Sequence, residues 1–260
     1  LYGGEFSLIN SLFESVSGFT TTGYSVVKDV EVLPKSLLFW RSSTHFIGGL
    51  GVIVFLLLVI PDSSPFRLKM TNLELSSLSR EGYRYRSSRT VWIICLVYLS
   101  LAIVETILLW VSGMSLFDAV NHSFSTIATG GFSTKNTSIA YFDSRIIEGI
   151  VIFFMVISGM HFGMIFHFAT TGSFKVFKNP VVRFYLGTIA VMTLLVAFGL
   201  LFEGATKSVG NALWTSLFHV VSFITTTGFA IGNPYLWPIF PSVMLIYCGI
   251  QCGCSGSTSG

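Results

Sequence analysis

Three short stretches carry residues whose types and spacing suit ion binding: "SGFTTTGYS" at Ser17–Ser25, "STIATGGFS" at Ser125–Ser133 and "SFITTTGFA" at Ser222–Ala230. Carbonyl oxygens turned toward a common point can replace the water shell of a dehydrated cation. Glycine permits the positive φ that turns successive carbonyls the same way, and threonine adds hydroxyls on a stiff side chain. One Thr-Gly cluster reads as an ordinary turn. Here the last glycines of the three, Gly23, Gly131 and Gly228, lie roughly 100 residues apart in matching contexts, which is the signature of a repeated unit.

The elements that must position these loops are legible around them. Ahead of each lies an amphipathic segment of about a dozen residues, too short to cross a bilayer and read as a re-entrant half-helix. These segments are "FSLINSLFESVSG", "LFDAVNHSFSTIA" and "VGNALWTSLFHVVSFI". A half-helix ending at a loop brings its partial negative charge there, worth about 0.3–1 kcal/mol to a cation. After each loop come a polar link and a long apolar segment. Non-helical backbone inside a membrane is tolerated only where it lines a cavity or meets a group that satisfies it.

Composition sets the solvent. The chain has 260 residues, 52% of them hydrophobic and 10% charged, whereas soluble domains carry about 25% charged residues. Apolar runs at Ser36–Ile60, Thr90–Val111, Ile146–Thr170 and Tyr185–Phe202, with another beginning at Pro241, approach the roughly 20 residues that a bilayer requires. A large soluble core of buried helices is the poorer alternative. Basic residues cluster in two connections, Arg67, Lys69, Arg80, Arg84, Arg86 and Arg89 in one and Lys175, Lys178 and Arg183 in the other. The positive-inside rule makes both connections cytoplasmic and turns the loops outward. Basic residues beside membrane spans do not read as a nucleic-acid patch. Cys95, Cys248, Cys252 and Cys254 fit neither a disulfide framework nor a zinc spacing.

The three loops, with "HFIGGLGVIVF" at His45–Phe55, "SGMHFGMIF" at Ser158–Phe166 and "CSGSTSG" at Cys254–Gly260, resemble the Trk/Ktr/HKT superfamily of potassium transporters. The wording "FIGGLGVIVFLLLVIP" and "GGFSTKNTSIAYFDS" is most similar to bacterial Trk pore subunits, and the resemblance spans nearly the whole chain. It implies an all-α integral membrane protein of span, pore helix, filter loop and span, repeated around a central pore, with four units expected. Residues 1–60 would be a first unit lacking its first span, and 61–89 a cytoplasmic link. A second unit would occupy 90–171, a second link 172–183, and a third unit truncated in its second span 184–260. The start at Leu1 and the lack of a fourth loop lead us to expect a longer protein.

The resemblance further implies potassium as the transported ligand and no covalent cofactor. The filter would be Thr21, Thr22 and Gly23; Thr129, Gly130 and Gly131; and Thr226, Thr227 and Gly228. It implies a gate at a Gly-rich helix break comprising Gly253, Cys254, Ser255, Gly256, Ser257, Thr258, Ser259 and Gly260, for which a small-residue helix interface is the alternative. Implied partners are membrane lipid, a second copy in a homodimer and a cytosolic nucleotide-binding regulatory subunit, in a plasma membrane. Gly130, where the other loops have threonine, departs from the pattern and leaves a sodium-permeable or sodium-coupled transporter as an alternative. A remote reading in another class is an intramembrane serine hydrolase, with Gly253-Cys254-Ser255-Gly256 as nucleophile motif and His161 or His167 as base.

Further polar residues sit in apolar surroundings. Glu105 is expected to approach the outer interface, two turns from Ser112. Glu14, His122 and His219 share one position in the three half-helices and are expected to hydrogen-bond behind the loops. Arg41 and His45 are expected to pair with outward acids such as Asp29 or Glu31. His161 and His167 lack the i,i+4 spacing of a helical metal pair. Cysteines introduced at Ser77 and Ser173 should label with an impermeant maleimide from the cytoplasm only; labelling from outside would overturn the topology.

Overall fold

The computed structural model describes residues 7–59, 87–161, 164, 165, 168, 178–254 and 257–259. Arg67, Lys69, Arg80, Arg84, Arg86 and Lys175 of the basic connections, and His167, lie outside the described residues. Three short helices recur: α1 (Leu8–Phe19), α4 (Leu116–Ile127) and α7 (Val209–Ile224). Each begins at a serine that caps it. Ser7, Ser115 and Ser208 all turn their hydroxyl oxygen to the backbone N–H three residues on, each cap contributing about 1 kcal/mol. The shorter two have 12 residues, a length of roughly 18 Å, against the roughly 30 Å of a hydrocarbon core.

Five further helices accompany them: α2 (Lys35–Val59), α3 (Ser87–Val111), α5 (Arg145–Ser158), α6 (Pro180–Phe202) and α8 (Ile239–Gln251). Helix α2 packs on both α1 and α4, and α5 packs on both α4 and α7. Helices α2 and α5 therefore each bridge two successive short helices. The apolar run Ile146–Thr170 does not form one continuous helix. It breaks after Ser158, at Gly159, where a Cβ would overlap the Tyr185 hydroxyl and crowd Thr225.

One contact occurs twice at these helices. Tyr98 of α3 donates its hydroxyl to the carbonyl of Phe46 at 3.2 Å, and Tyr185 of α6 donates to the carbonyl of Val156 at 3.3 Å. Three residues beyond each acceptor stands a glycine, Gly49 or Gly159, whose missing Cβ leaves room for the phenol oxygen. At α5 this bond satisfies a carbonyl that a terminated helix would otherwise leave orphaned.

The apolar core is joined by polar side chains inside, and the outside is apolar as well. The outer faces of α3 and α6 are apolar, with Trp92 75% and Phe202 80% exposed. The interior holds Asn121, Ser123, Ser125, Thr126, Ser216, Ser222 and Thr225, all at 0% exposure. Apolar surface outward, with polar side chains kept inside, is what a lipid solvent selects. Among the described residues, Trp92–Val111 and Pro180–Phe202 are long and apolar enough to span a bilayer. Two tyrosine bonds with no shared partners should contribute independently. Tyr98→Phe and Tyr185→Phe should each cost about 0.5–1.5 kcal/mol, adding in the double variant, as read by thermal unfolding in detergent.

Candidate functional site

Each short helix ends in the same turn. Thr22 N–H donates to Ser17 O and Thr21 N–H to Gly18 O; Gly130 to Ser125 and Thr129 to Thr126; Thr227 to Ser222 and Thr226 to Phe223. This is the 6→1 and 5→2 pair of a Schellman motif, whose left-handed position ordinarily falls to glycine. Here threonine occupies it, with φ of 53° at Thr21, 52° at Thr129 and 52° at Thr226. A left-handed non-glycine residue costs on the order of 1–2 kcal/mol, and the two amide bonds around it hold it there. Two residues on, the glycines are also left-handed, with φ of 76° at Gly23, 82° at Gly131 and 80° at Gly228. The middle residues Thr22, Gly130 and Thr227 are not, so the handedness alternates along each loop.

The loops lie against one another head to tail. A Cβ on Gly23 would overlap the carbonyl oxygen of Gly130, and one on Gly131 would overlap that of Thr227. Gly228 meets nothing within 4 Å. Thr129, Gly130 and Thr227 are buried in these junctions, Thr22, Thr226 and Gly228 are exposed, and Thr21, Gly23 and Gly131 are half-buried. Farther out the units are also tied. Asn136 donates to Asp29 at 2.7 Å and accepts from Val30 N–H at 2.8 Å, holding the Asp29 carboxyl below its ordinary range. Ala140 N–H donates to Ala230 O at 3.2 Å.

Side chains brace the first and third loops identically. The hydroxyls of Thr20 and Thr22 share a 2.8 Å hydrogen bond, as do those of Thr225 and Thr227. Ser17 donates to Tyr24 O at 2.6 Å and Ser222 to Phe229 O at 2.7 Å. The second loop has Ala128 and Gly130 in place of the threonine pair. There Ser125 Oγ and His45 Nδ1 share a hydrogen bond of 3.1 Å, and the His45 ring stacks on Phe132 at 3.9 Å.

Behind the loops, Glu14 accepts from Ser25 Oγ and from Val26 N–H, each at 2.7 Å. His122 meets Ser133 Oγ at 2.9 Å and Asp118 O at 2.8 Å. His219 meets Thr215 O, and Ala230 stands where the other loops have serine. Arg41 does not pair with Asp29 or Glu31. It reaches Glu14 at 3.2 Å and Ser25 Oγ at 3.0 Å, because α2 places it directly behind the first loop. His45 likewise turns inward to Ser125. Glu105 does not approach the outer interface: α3 turns it to 0% exposure, on the same buried face as Tyr98, Ala102 and Leu109.

The segment after α8 reaches the inner ends of α4 and α5. Cys252 has φ 56° and terminates α8. Cys254 N–H donates to Gly159 O at 2.9 Å, and Thr258 Oγ1 donates to both Ile127 O and Ser158 O at 3.3 Å. Gly253 packs closely on Ser259 Oγ and Gly159 O, and Ser257 donates to Cys254 O at 2.7 Å. Ser255, Gly256 and Gly260 lie outside the described residues, and with them the proposed hydrolase nucleophile. No group of three metal-ligating side chains occurs among the described residues. The tyrosine bonds and the His45 brace went unnoticed in the sequence. The one available signal was the tyrosine near the start of each apolar run, Tyr98 and Tyr185.

The family model of TrkH, described as cation transport protein, matches residues 3–260. The Trk system potassium uptake protein TrkH of Salmonella typhimurium is 35% identical over 256 residues, covering 98% of this chain and 53% of that protein. An uncharacterized cation transporter of Methanocaldococcus jannaschii is 33% identical over 258 residues, covering 98% and 50%. The crystal structure of the potassium transporter TrkH from Vibrio parahaemolyticus superposes with a TM-score of 0.81 at 35% identity, covering 98% of this chain and 52% of that one. The chain spans about half the length of the curated relatives it matches. These relatives are named for transport and uptake, not for hydrolysis. By the match along nearly its whole length, this chain belongs to the TrkH family of cation transport proteins, and it is a multi-pass membrane protein.

Proposed function

We propose that the full-length protein takes up potassium across the plasma membrane, and that the three loops supply three quarters of its selectivity filter. The observation that carries this reading is the shared backbone. Three loops alternate handedness at matching positions, and two successive junctions nest glycine to carbonyl, Gly23 on Gly130 and Gly131 on Thr227. Residues of alternating handedness can present successive carbonyls to one side, and such oxygens substitute for an ion's hydration shell. The filter residues are Thr21, Thr22 and Gly23; Thr129, Gly130 and Gly131; and Thr226, Thr227 and Gly228. Helices α1, α4 and α7 each end at the start of one of these loops and bring their C-terminal dipoles to it.

A fourth unit, in the half of the protein that this chain does not span, would fill the open side of Gly228. Potassium is the transported ligand, and the chemistry needs no covalent cofactor. Residues Gly253–Gly260 act as the gate: a segment pinned below the second loop by Thr258 and Cys254 can obstruct the path or release it by breaking a few hydrogen bonds. Homodimerisation and a cytosolic nucleotide-binding subunit, implied by the family resemblance, complete the assembly.

Rubidium uptake by the full-length protein in potassium-uptake-deficient bacteria tests the reading. Gly228→Val puts a β-branched residue at φ 80° and should lower uptake about tenfold or more, or admit sodium in competition, while the protein still inserts. Unchanged uptake and unchanged exclusion of sodium would sink the filter assignment.

A further inference from the structure

The second loop is built differently from its neighbours, and the difference is concentrated at one histidine. Gly130 is not left-handed, so the backbone does not require glycine there. What requires it is space: a Cβ on Gly130 would overlap three atoms of the His45 ring. His45 is fully buried, stacks on Phe132 immediately after the left-handed Gly131, and bonds Ser125. In the other loops the corresponding serine bonds a carbonyl of its own loop instead. Arg41, one helical turn earlier on α2, lies over the same Phe132 ring at 4.1 Å and continues to Glu14 and Ser25 behind the first loop.

We propose that His45 is a positioning residue for the second loop, its ring standing in for the threonine pair of the other two. Gly130 is then glycine to admit that ring. The bracing role follows from what is missing as well as what is present. Without threonines at 128 and 130, the second loop has no hydroxyl pair to fix the middle residue, whose carbonyl oxygen is the one seated against Gly23. His45 presses on that residue from behind. It thus sets the junction of the first and second loops, and through that junction the width available to the ion.

The proposal deepens the potassium reading and rests on it where ion discrimination is concerned. Its packing half stands apart and is tested by stability. In the full-length protein, Gly130→Ala should lower rubidium uptake about tenfold or more, as overpacking against a rigid ring does. It should also lower the unfolding midpoint in detergent by about 2–4 °C or more. Adding His45→Ala should relieve both defects, so that the double variant resembles His45→Ala alone; contacting residues show such non-additivity. His45→Ala by itself should weaken exclusion of sodium, and the triple variant His45→Ala, Ala128→Thr, Gly130→Thr should regain it by rebuilding the hydroxyl pair. Gly130→Ala as stable and active as the parent, strictly additive defects in the double variant, or a triple variant no more selective than His45→Ala would overturn the proposal. A parent that carries no rubidium would instead refute the transport reading, while the stability comparison would still decide the packing of His45 against Gly130.

Discussion

A peptide that leaves the helix inside a membrane must find a partner for every N–H and C=O it frees, at several kcal/mol for each failure. The architecture around the three loops follows from that constraint. The short helices spend their last carbonyls on the amides of the turn, through bonds of 2.8–3.1 Å. Those bonds fix a threonine in a conformation it would not choose. The serine caps start each helix at the register that delivers its end to the loop. Glycines in the long helices let neighbouring backbones and phenol oxygens come close enough to hold the ends in place. Glu14 and His122, which would be liabilities in hydrocarbon, are absorbed by the segment leaving each loop.

The end of α5 displays the constraint most completely. Met155 O accepts from Gly159 N–H, Val156 O from the Tyr185 hydroxyl, and Ile157 O from Met160 N–H. Ser158 O accepts from Thr258 and Gly159 O from Cys254 N–H. Five consecutive carbonyls are satisfied by groups from three parts of the chain. A helix interrupted in midmembrane persists because its loose end is fully subscribed. The fold thereby docks the segment after α8 beside the inner end of α4.

Much of this was legible in the sequence, and the limits were physical. The loops announced themselves by recurrence, since a Thr-Gly cluster in one context thrice is hard to mistake for a turn. The short helices were readable from length against bilayer thickness. The break at Gly159 was not, because "ISGMHFGMIF" reads as part of a continuous span; the groups that take up the freed carbonyls, Tyr185 and Cys254, come from distant parts of the chain. Arg41 was misassigned for the same reason. Its acidic neighbours along the chain are Asp29 and Glu31, whereas its partner Glu14 is brought to it by the packing of α1 on α2. Glu105 was judged by distance from the helix end, when the face it occupies on α3 decided its burial. Gly130 looked like a lapse in the pattern until the His45 ring was seen beside it.

The tyrosine-bound carbonyls align α2 with α5, Phe46 matching Val156. In that register Arg41 and His45 correspond to Val151 and Met155, both fully buried. At these two positions the first seam is ionic and aromatic and the next is aliphatic. An assembly of identical subunits could not do this, because each substitution would reappear in every sector of the ring. Carrying the three loops on one polypeptide frees each to mutate alone, so selection can alter the surroundings of one while the others keep their geometry.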